Sequence, residues 1–269
     1  MRSAVQIRSL HDMEEMKQVQ VLEDLVWTGD SIPTHQTITA IKNGGLMLGA
    51  FIEGKLVGFN YSFPGFLKGK IYLCSHNMGI HPDHRGKGIG SMLKGVQKEK
   101  ASEMGYDLIT WTFDPLETRN AYLNLSKLRA VCDTYMENCY GEINDGLNNG
   151  LPTDRFKVEW WLESEHIGKS FQAQTPIGII PWEMTNNDLP KLGDFDSLSD
   201  ERSIHVPVPV DFQMLKRKDS GLALDWRMKT RKVFQTFFAK GYTAIALEKT
   251  ENDPVHHYVL VKRSSVHID

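Results

Sequence analysis

The stretch Met78-Gly79-Ile80-His81-Pro82-Asp83-His84-Arg85-Gly86-Lys87-Gly88-Ile89-Gly90 constrains the fold more than any other part of the chain. It reads as a strand ending at a proline, a tight glycine-rich turn and the start of a long amphipathic helix. Glycines at alternate positions let successive backbone N–H groups crowd around one point. The N-terminus of the helix aims its partial positive charge at the same point. That is the construction of an anion cradle, and pyrophosphate is its best-fitting occupant.

Spacing narrows the occupant. A P-loop requires G-x-x-x-x-G-K-[ST], and no Lys-Ser or Lys-Thr closes such a loop here. The dinucleotide fingerprint G-x-G-x-x-G fails because the third glycine comes one residue early, giving Gly86-x-Gly88-x-Gly90. The pattern that holds is R-x-x-G-x-G in Arg85, Gly88 and Gly90, preceded by the strand end Ile80-x-Pro82. On these residues the chain resembles the GNAT acyltransferase superfamily, whose acyl-coenzyme A signature has this form. The resemblance implies an α/β (α+β) fold, with a mixed, mostly antiparallel sheet flanked by helices. It also implies acetyl-CoA or another acyl-CoA as cosubstrate and no metal. It spans residues 1–165, leaving 166–269 as an additional C-terminal α/β extension.

The element pattern agrees with that expectation. Strands are expected at residues 5–9, 46–52, 55–63, 71–80, 107–113, 131–135 and 156–162, and helices at 13–27, 34–43, 89–104 and 118–128. Asp12 is a plausible cap for the first helix, with Glu14 and Glu15 in its first turn. Glu53-Gly54 is a hairpin signal, and Gly105 stops the third helix. In the extension, residues 205–214 alternate like a strand, which Pro207 and Pro209 confine to an edge or a bulge. Residues 222–240 form a helix with Trp226, Val233, Phe234, Phe237 and Phe238 on its buried side. The basic run Arg227, Lys229, Arg231 and Lys232 is expected on its solvated face. Two more strands follow, at 242–247 and 256–262. The helix–Gly-Tyr–strand run at 238–247 echoes residues 103–111, either by chance or as a degenerate half-copy.

Composition sets bounds. At 269 residues, the chain suits one large or two small domains. A net charge of −3 supplies no basic field, so no nucleic-acid or acidic-membrane partner is expected. Cys74, Cys132 and Cys139 make neither a zinc spacing nor an even disulfide set, which suits a reducing cytoplasm. Residues 1–17 have no apolar core and carry acids early, unlike a secretory signal. No apolar run approaches a membrane span. His81, His84 and the pair His256-His257 have no third ligand at metal spacing.

The resemblance also assigns roles. Backbone groups of Met78 and Ile80 would hold the pantetheine arm as a pseudo-strand, and backbone N–H groups from Arg85 through Gly86, Lys87, Gly88 and Ile89 to Gly90 would hold the pyrophosphate. Asn120 would touch pantetheine or substrate. Acyl transfer needs a base for the acceptor amine, and His76, Asp114 and Glu117 are the candidates. Each also has a structural reading: a strand histidine, a turn former before Pro115, and a helix-start charge. Family members commonly carry a tyrosine in A-x-x-L-Y-x-K-L-G-F. Here Leu125 stands at the tyrosine and Arg129 at the glycine. Tyr122, Tyr135 or Tyr140 would serve as proton donor instead, or the thiolate leaves unaided.

Residues 138–155 form a long polar loop where the family binds its acceptor. With residues 113–120 it resembles a bacterial subgroup with a C-terminal extension. Arg119 and Arg155 are candidates to clamp a substrate carboxylate, with Tyr140 beside them; Arg155 could equally pair with Asp154 or Glu159. The expectation is a cytoplasmic acyl-CoA-dependent N-acyltransferase acting on a small-molecule amine, an amino acid among the options. A homodimer is left open. The alternative is a non-catalytic acyl-CoA sensor.

Overall fold

The structure is a computed structural model and describes residues 4–27, 31–67, 69–141, 150–168, 178–194 and 201–268. The chain packs as two compact units, Met1–Trp111 and Thr112–Asp269. This division falls inside the segment 1–165 expected to act as one functional domain, a grouping that stands as a proposal.

The first unit contains β1 (Gln6–Ser9), α1 (Met13–Trp27), α2 (Thr34–Lys42), β2 (Leu46–Ile52), β3 (Lys55–Leu67), β4 (Lys70–Ile80) and α3 (Ile89–Glu103). The chain leaves it along β5 (Leu108–Phe113). A reciprocal cap starts α1: Asp12 Oδ1 accepts the Glu15 N–H at 2.9 Å, and Glu15 Oε2 accepts the His11 N–H at 2.7 Å. Positive φ at Glu53 (51°) and Gly54 (76°) makes the β2–β3 turn the tight kind that matches strand twist. β1, β2, β3 and β4 pair antiparallel in that order. β5 then pairs parallel to β4, through Leu73–Ile109 and Cys74–Thr110.

Side-chain alternation assigns the helices of this unit to faces. Phe59 and Tyr61 of β3 join Met16, Val19 and Leu22 of α1 and Ile38 of α2 in one apolar cluster. The intervening Asn60 and Ser62 face α3 instead, where Ser62 bonds Gln97. The unit is therefore layered, with α1 and α2 on one side of the sheet and α3 on the other.

The second unit begins with α4 (Thr118–Ala121), which runs on as a π-helical turn over Tyr122–Lys127. The Leu128 N–H reaches back five residues to the Leu123 carbonyl at 2.9 Å. Then follow β6 (Val131–Met136), β7 (Arg155–Trp161), α5 (Glu165–Gly168), β8 (Gly178–Ile179), β9 (Trp182–Met184), β10 (Pro190–Leu192), β11 (Ser203–Pro209), α6 (Phe212–Lys218), α7 (Ser220–Ala239), β12 (Tyr242–Glu248) and β13 (Val255–Lys262). Its main sheet runs β7-β6-β12-β13-β11-β8, while β9 and β10 pair separately. β8 reaches only Ile204 and His205, so the proline-bearing end of β11 is an edge among the described residues.

Two expectations are corrected here. The strand over 205–214 stops at Pro209, because Asp211 turns its carboxylate onto the Met214 N–H at 2.8 Å and caps α6. The basic residues of α7 are not a uniformly solvated face. Arg227 is 1% exposed, Arg231 pairs with Asp154 and Glu137, and Lys229 lies 3.4 Å from Asp225.

An aromatic cluster centres this unit. Phe156, fully buried, packs its ring at 4.7 Å from Phe234, 5.4 Å from Tyr258 and 5.7 Å from Phe113. Truncating it removes the ring that the others meet at their edges. Phe156→Ala is expected to cost about 3–5 kcal/mol in urea unfolding; a loss below about 1 kcal/mol would show that this cluster is not a core.

Candidate functional site

β4 is built asymmetrically. The His81 N–H donates to the Val57 carbonyl at 2.9 Å, which fixes the phase of the β3–β4 ladder. Alternation then turns the N–H and C=O of Asn77 and Gly79 toward β3, and those of Met78 and Ile80 away from it. The β4–β5 ladder ends at Cys74–Thr110, so the backbone of Met78 and Ile80 projects on the side where β4 has parted from its neighbour. His76 is the extra residue of a bulge, since Tyr61 pairs with Asn77 and Ser62 with Ser75. Its ring packs edge-on to Tyr61 at 6.1 Å and against Phe63 at 5.6 Å; the residue keeps an exposed face, and partial burial lowers its pKa.

The strand ends in a turn that folds on itself. The Arg85 Nε–H donates to the Ile80 carbonyl at 3.2 Å, and the Lys87 ammonium to the Asp83 carbonyl at 2.8 Å. Gly86 and Gly88 hold φ of +75° and +83°, the left-handed region that side chains resist, and Gly88 is the N-cap of α3. The first helical bond runs from the Met92 N–H to the Gly88 carbonyl, so the N–H groups of Ile89, Gly90 and Ser91 have no acceptor within the helix. A Cβ at Gly86 or Gly88 would meet no heavy atom within 4 Å. Backbone donors, positive helix end and open approach together fit a pyrophosphate. Backbone N–H groups of Gly86, Lys87, Gly88, Ile89 and Gly90 would hold it, with Met78 and Ile80 serving the pantetheine arm; the Arg85 N–H, expected among them, is taken by the Pro82 carbonyl at 3.2 Å.

A polar ring that sequence reasoning missed lies behind β4. Lys94, 3% exposed, donates to Ser75 Oγ at 2.9 Å and Gln97 Oε1 at 3.0 Å, and its ammonium sits 3.7 Å from the centre of the Trp111 ring. Gln97 donates to Ser62 at 2.6 Å, Ser62 to Asn60 at 3.3 Å, and Asn60 back to Ser75 at 3.2 Å. Burial lowers the Lys94 pKa to about 7. The signal available was spacing: Lys94, Gln97 and Ala101 fall on the helix face that also buries Ile89 and Leu93.

The other predicted residues belong to the second unit. Asp114 binds Arg227 through both carboxylate oxygens, at 2.9 and 2.5 Å, and accepts the Leu116 N–H. That engagement leaves it poorly placed to take a proton. Glu117 is half-buried, accepts from Gln213 Nε2 at 2.6 Å, and has its pKa raised by burial. It lines a cleft of about 490 Å³ with Arg119, Gln213, Arg217, Lys249 and His256. Asn120 is exposed on α4. Arg155 donates to the Asp154 carbonyl at 2.9 Å, lies 3.9 Å from Asp114 and covers the Tyr140 ring at 5.4 Å.

Of the two partners weighed for Arg155 as a brace, Glu159 pairs with Arg263 instead. Tyr140 shares a hydrogen bond with Thr112 at 2.7 Å. Tyr135 donates to buried Asp154 at 2.6 Å, and burial drives its pKa far up. Tyr122 lies under Lys249 at 4.0 Å, and Leu125 is fully buried. Asn138 and Thr153 staple the base of the 138–155 loop through the Thr153 N–H, at 3.2 Å; its residues 142–149 lie outside the described residues. No group of three or more His, Cys, Asp and Glu among the described residues is placed to hold a metal.

Lys94 binds its proton more weakly in the folded chain than at its ordinary pKa of 10.5. Between about pH 7 and 10.5 the unfolded chain therefore carries the extra proton. Stability should rise with pH across that window, by at most about 1.4 kcal/mol per unit, and fall as pH drops toward 7. Urea unfolding from pH 7 to 9 should give a steeper climb in the wild type than in Lys94→Met. Parallel curves would contradict this ionisation.

Comparison with known proteins bears on the first part of the chain. Residues 10–123 match the family model described as Acetyltransferase (GNAT) family. Solved structures also resemble the chain. The ribosomal-protein-S18-alanine N-acetyltransferase of Escherichia coli is 13% identical, with 64% of this chain and 98% of that one covered, at a TM-score of 0.48. A GNAT-family acetyltransferase of Streptococcus pneumoniae is 17% identical, with 58% and 98% covered, at 0.48. Arabidopsis thaliana Naa50, in complex with the bisubstrate analogue CoA-Ac-MVNAL, is 18% identical, with 62% and 99% covered, at 0.46. No curated protein is significantly similar to the chain in sequence. Over residues 10–123, the chain is similar to the GNAT acetyltransferase family.

Proposed function

We propose that the chain is an acyl-CoA-dependent N-acyltransferase that moves an acetyl or succinyl group from coenzyme A to the amine of a small cytoplasmic molecule, an amino acid being the best-fitting class. The observation that carries this reading is the first unit's strand end. The outward backbone of Met78 and Ile80 leads directly to the donor-rich turn Gly86–Gly90. Bound acyl-CoA supplies the thioester. The acceptor nitrogen attacks its carbonyl carbon, a C–N bond forms, the C–S bond breaks, and the amine gives up a proton.

His76 is our candidate for that proton. It lies two residues from Met78 on β4, and its lowered pKa keeps the imidazole neutral and receptive at neutral pH. Asp114 is the weakest of the three candidate bases because Arg227 occupies both its oxygens. Leu125 offers no proton to the departing sulfur, and a thiol is acidic enough to leave as thiolate. Arg119, an exposed cation beside half-buried Glu117, supports a carboxylate-bearing acceptor. The second reading, a non-catalytic acyl-CoA sensor, draws on the burial of Leu125 at the tyrosine position.

Incubation with acetyl- or succinyl-CoA and a panel of amines, amino acids included, is expected to release free thiol. Acyl-CoA-induced thermal stabilisation with no thiol release from any amine would favour the sensor. Gly88→Asp, which puts a carboxylate into the cradle, is expected to weaken CoA binding at least about tenfold in calorimetry; an unchanged affinity would move the phosphate site elsewhere. His76→Ala should lower kcat by about a hundredfold or more, and a kcat within about threefold of wild type would remove His76 from the mechanism.

A further inference from the structure

Lys94 stands at the point where β4 and β5 separate. The parallel ladder ends at Cys74–Thr110. The next residue on β4 is Ser75 and the next on β5 is Trp111, and Lys94 meets both. It donates to the Ser75 hydroxyl at 2.9 Å and lies 3.7 Å from the centre of the Trp111 ring. Its second hydrogen bond goes to Gln97 on its own helix, which fixes the side chain's direction. Two of the ammonium's three donors are thus engaged, and the charge lies over the Trp111 ring. Among the described residues no carboxylate pairs with it. The Cys74 thiol acts on it electrostatically.

A buried ammonium without a counter-ion is costly, and a leucine would fill that space without the desolvation. What the lysine adds is direction. Through Ser75 it grips β4 one residue before the His76 bulge; through Trp111 it grips β5 one residue past the last rung. The ring Ser75–Asn60–Ser62–Gln97 ties the same point to β3 and α3. Small shifts at this fork change where the outward N–H groups of β4 point. A misplacement of about 1 Å in such a site costs about a hundredfold in rate.

We propose that Lys94 is a positioning residue for acyl transfer: it fixes the β4–β5 fork and so sets the angle at which the β4 bulge and the Met78 backbone meet the thioester. This rests on the N-acyltransferase reading above. It concerns the reacting end of the acyl-CoA and not its phosphates, which the turn 86–90 holds independently.

The test compares wild type with Lys94→Met and Ser75→Ala, measuring kcat by thiol release and CoA affinity by calorimetry. Lys94→Met is expected to lower kcat by about ten- to a hundredfold, with CoA affinity within about threefold of wild type. Ser75→Ala removes the Lys94 link to β4 together with the Asn60 bond from β3, and should lower kcat in the same direction with affinity again unmoved. If Lys94→Met does not fold, Ser75→Ala decides alone. Folded variants that keep wild-type kcat, or that lose affinity in step with kcat, overturn the positioning role. A wild type that binds CoA but acylates no amine overturns the N-acyltransferase reading itself, and this inference with it.

Discussion

The unequal pairing of β4 is the constraint on which the rest of the site depends. On one side the strand is laddered to β3 along its length; on the other it meets β5 at two positions only. A strand inside a sheet normally satisfies its backbone on both sides. Here Met78 and Ile80 turn their polar groups to the side that β5 has left, the Ile80 carbonyl being taken by Arg85, and the chain then leads to the N–H groups of Ile89, Gly90 and Ser91, which have no acceptor within the helix. Outward backbone beside a positive helix end is a binding surface for an extended, anionic, amide-containing ligand. Coenzyme A has that chemistry, and the family match covers this segment.

The second unit is governed by buried charge. Asp154 is fully buried between Arg231, the Tyr135 hydroxyl and the Asn138 N–H, which together hold its carboxyl below the ordinary range against the cost of burial. Buried Arg227 pairs with half-buried Asp114. Breaking either by removing one partner would strand a charge, so these residues read as structure first. The consequence for chemistry is a narrower field. Asp114 and Tyr135 are engaged, whereas Glu117, Arg119 and Tyr140 keep access to solvent or to the cleft.

Most elements were legible because their signals are local. Apolar periodicity, the Asp12 cap, Glu53-Gly54, Gly105 and the R-x-x-G-x-G turn each act within a few residues. The α6 helix was missed because the alternation of β11 runs into it, and the cap that separates them depends on a single aspartate. The bulge at His76 and the outward phase of Met78 were invisible, since register is a property of two strands. The Lys94 ring was missed and Arg227 was expected in solvent for one reason: a charged side chain is taken as exposed until its partners, far away in sequence, are known. Glycine at the Arg129 position would have been the usual choice, and the structure retains the left-handed φ of +63° there with an arginine.

The central claim is that acyl-CoA lies along the free side of β4 and over the turn that follows. Backbone amide resonances of the whole chain, followed as acetyl-CoA is titrated in, test it most directly. The account predicts that the amides of Met78, Ile80 and Gly86 to Gly90 shift together and saturate with a single affinity, while those of Asn77 and Gly79, bonded to β3, move little. Saturable binding that leaves Met78, Ile80 and the glycine turn unperturbed would contradict it.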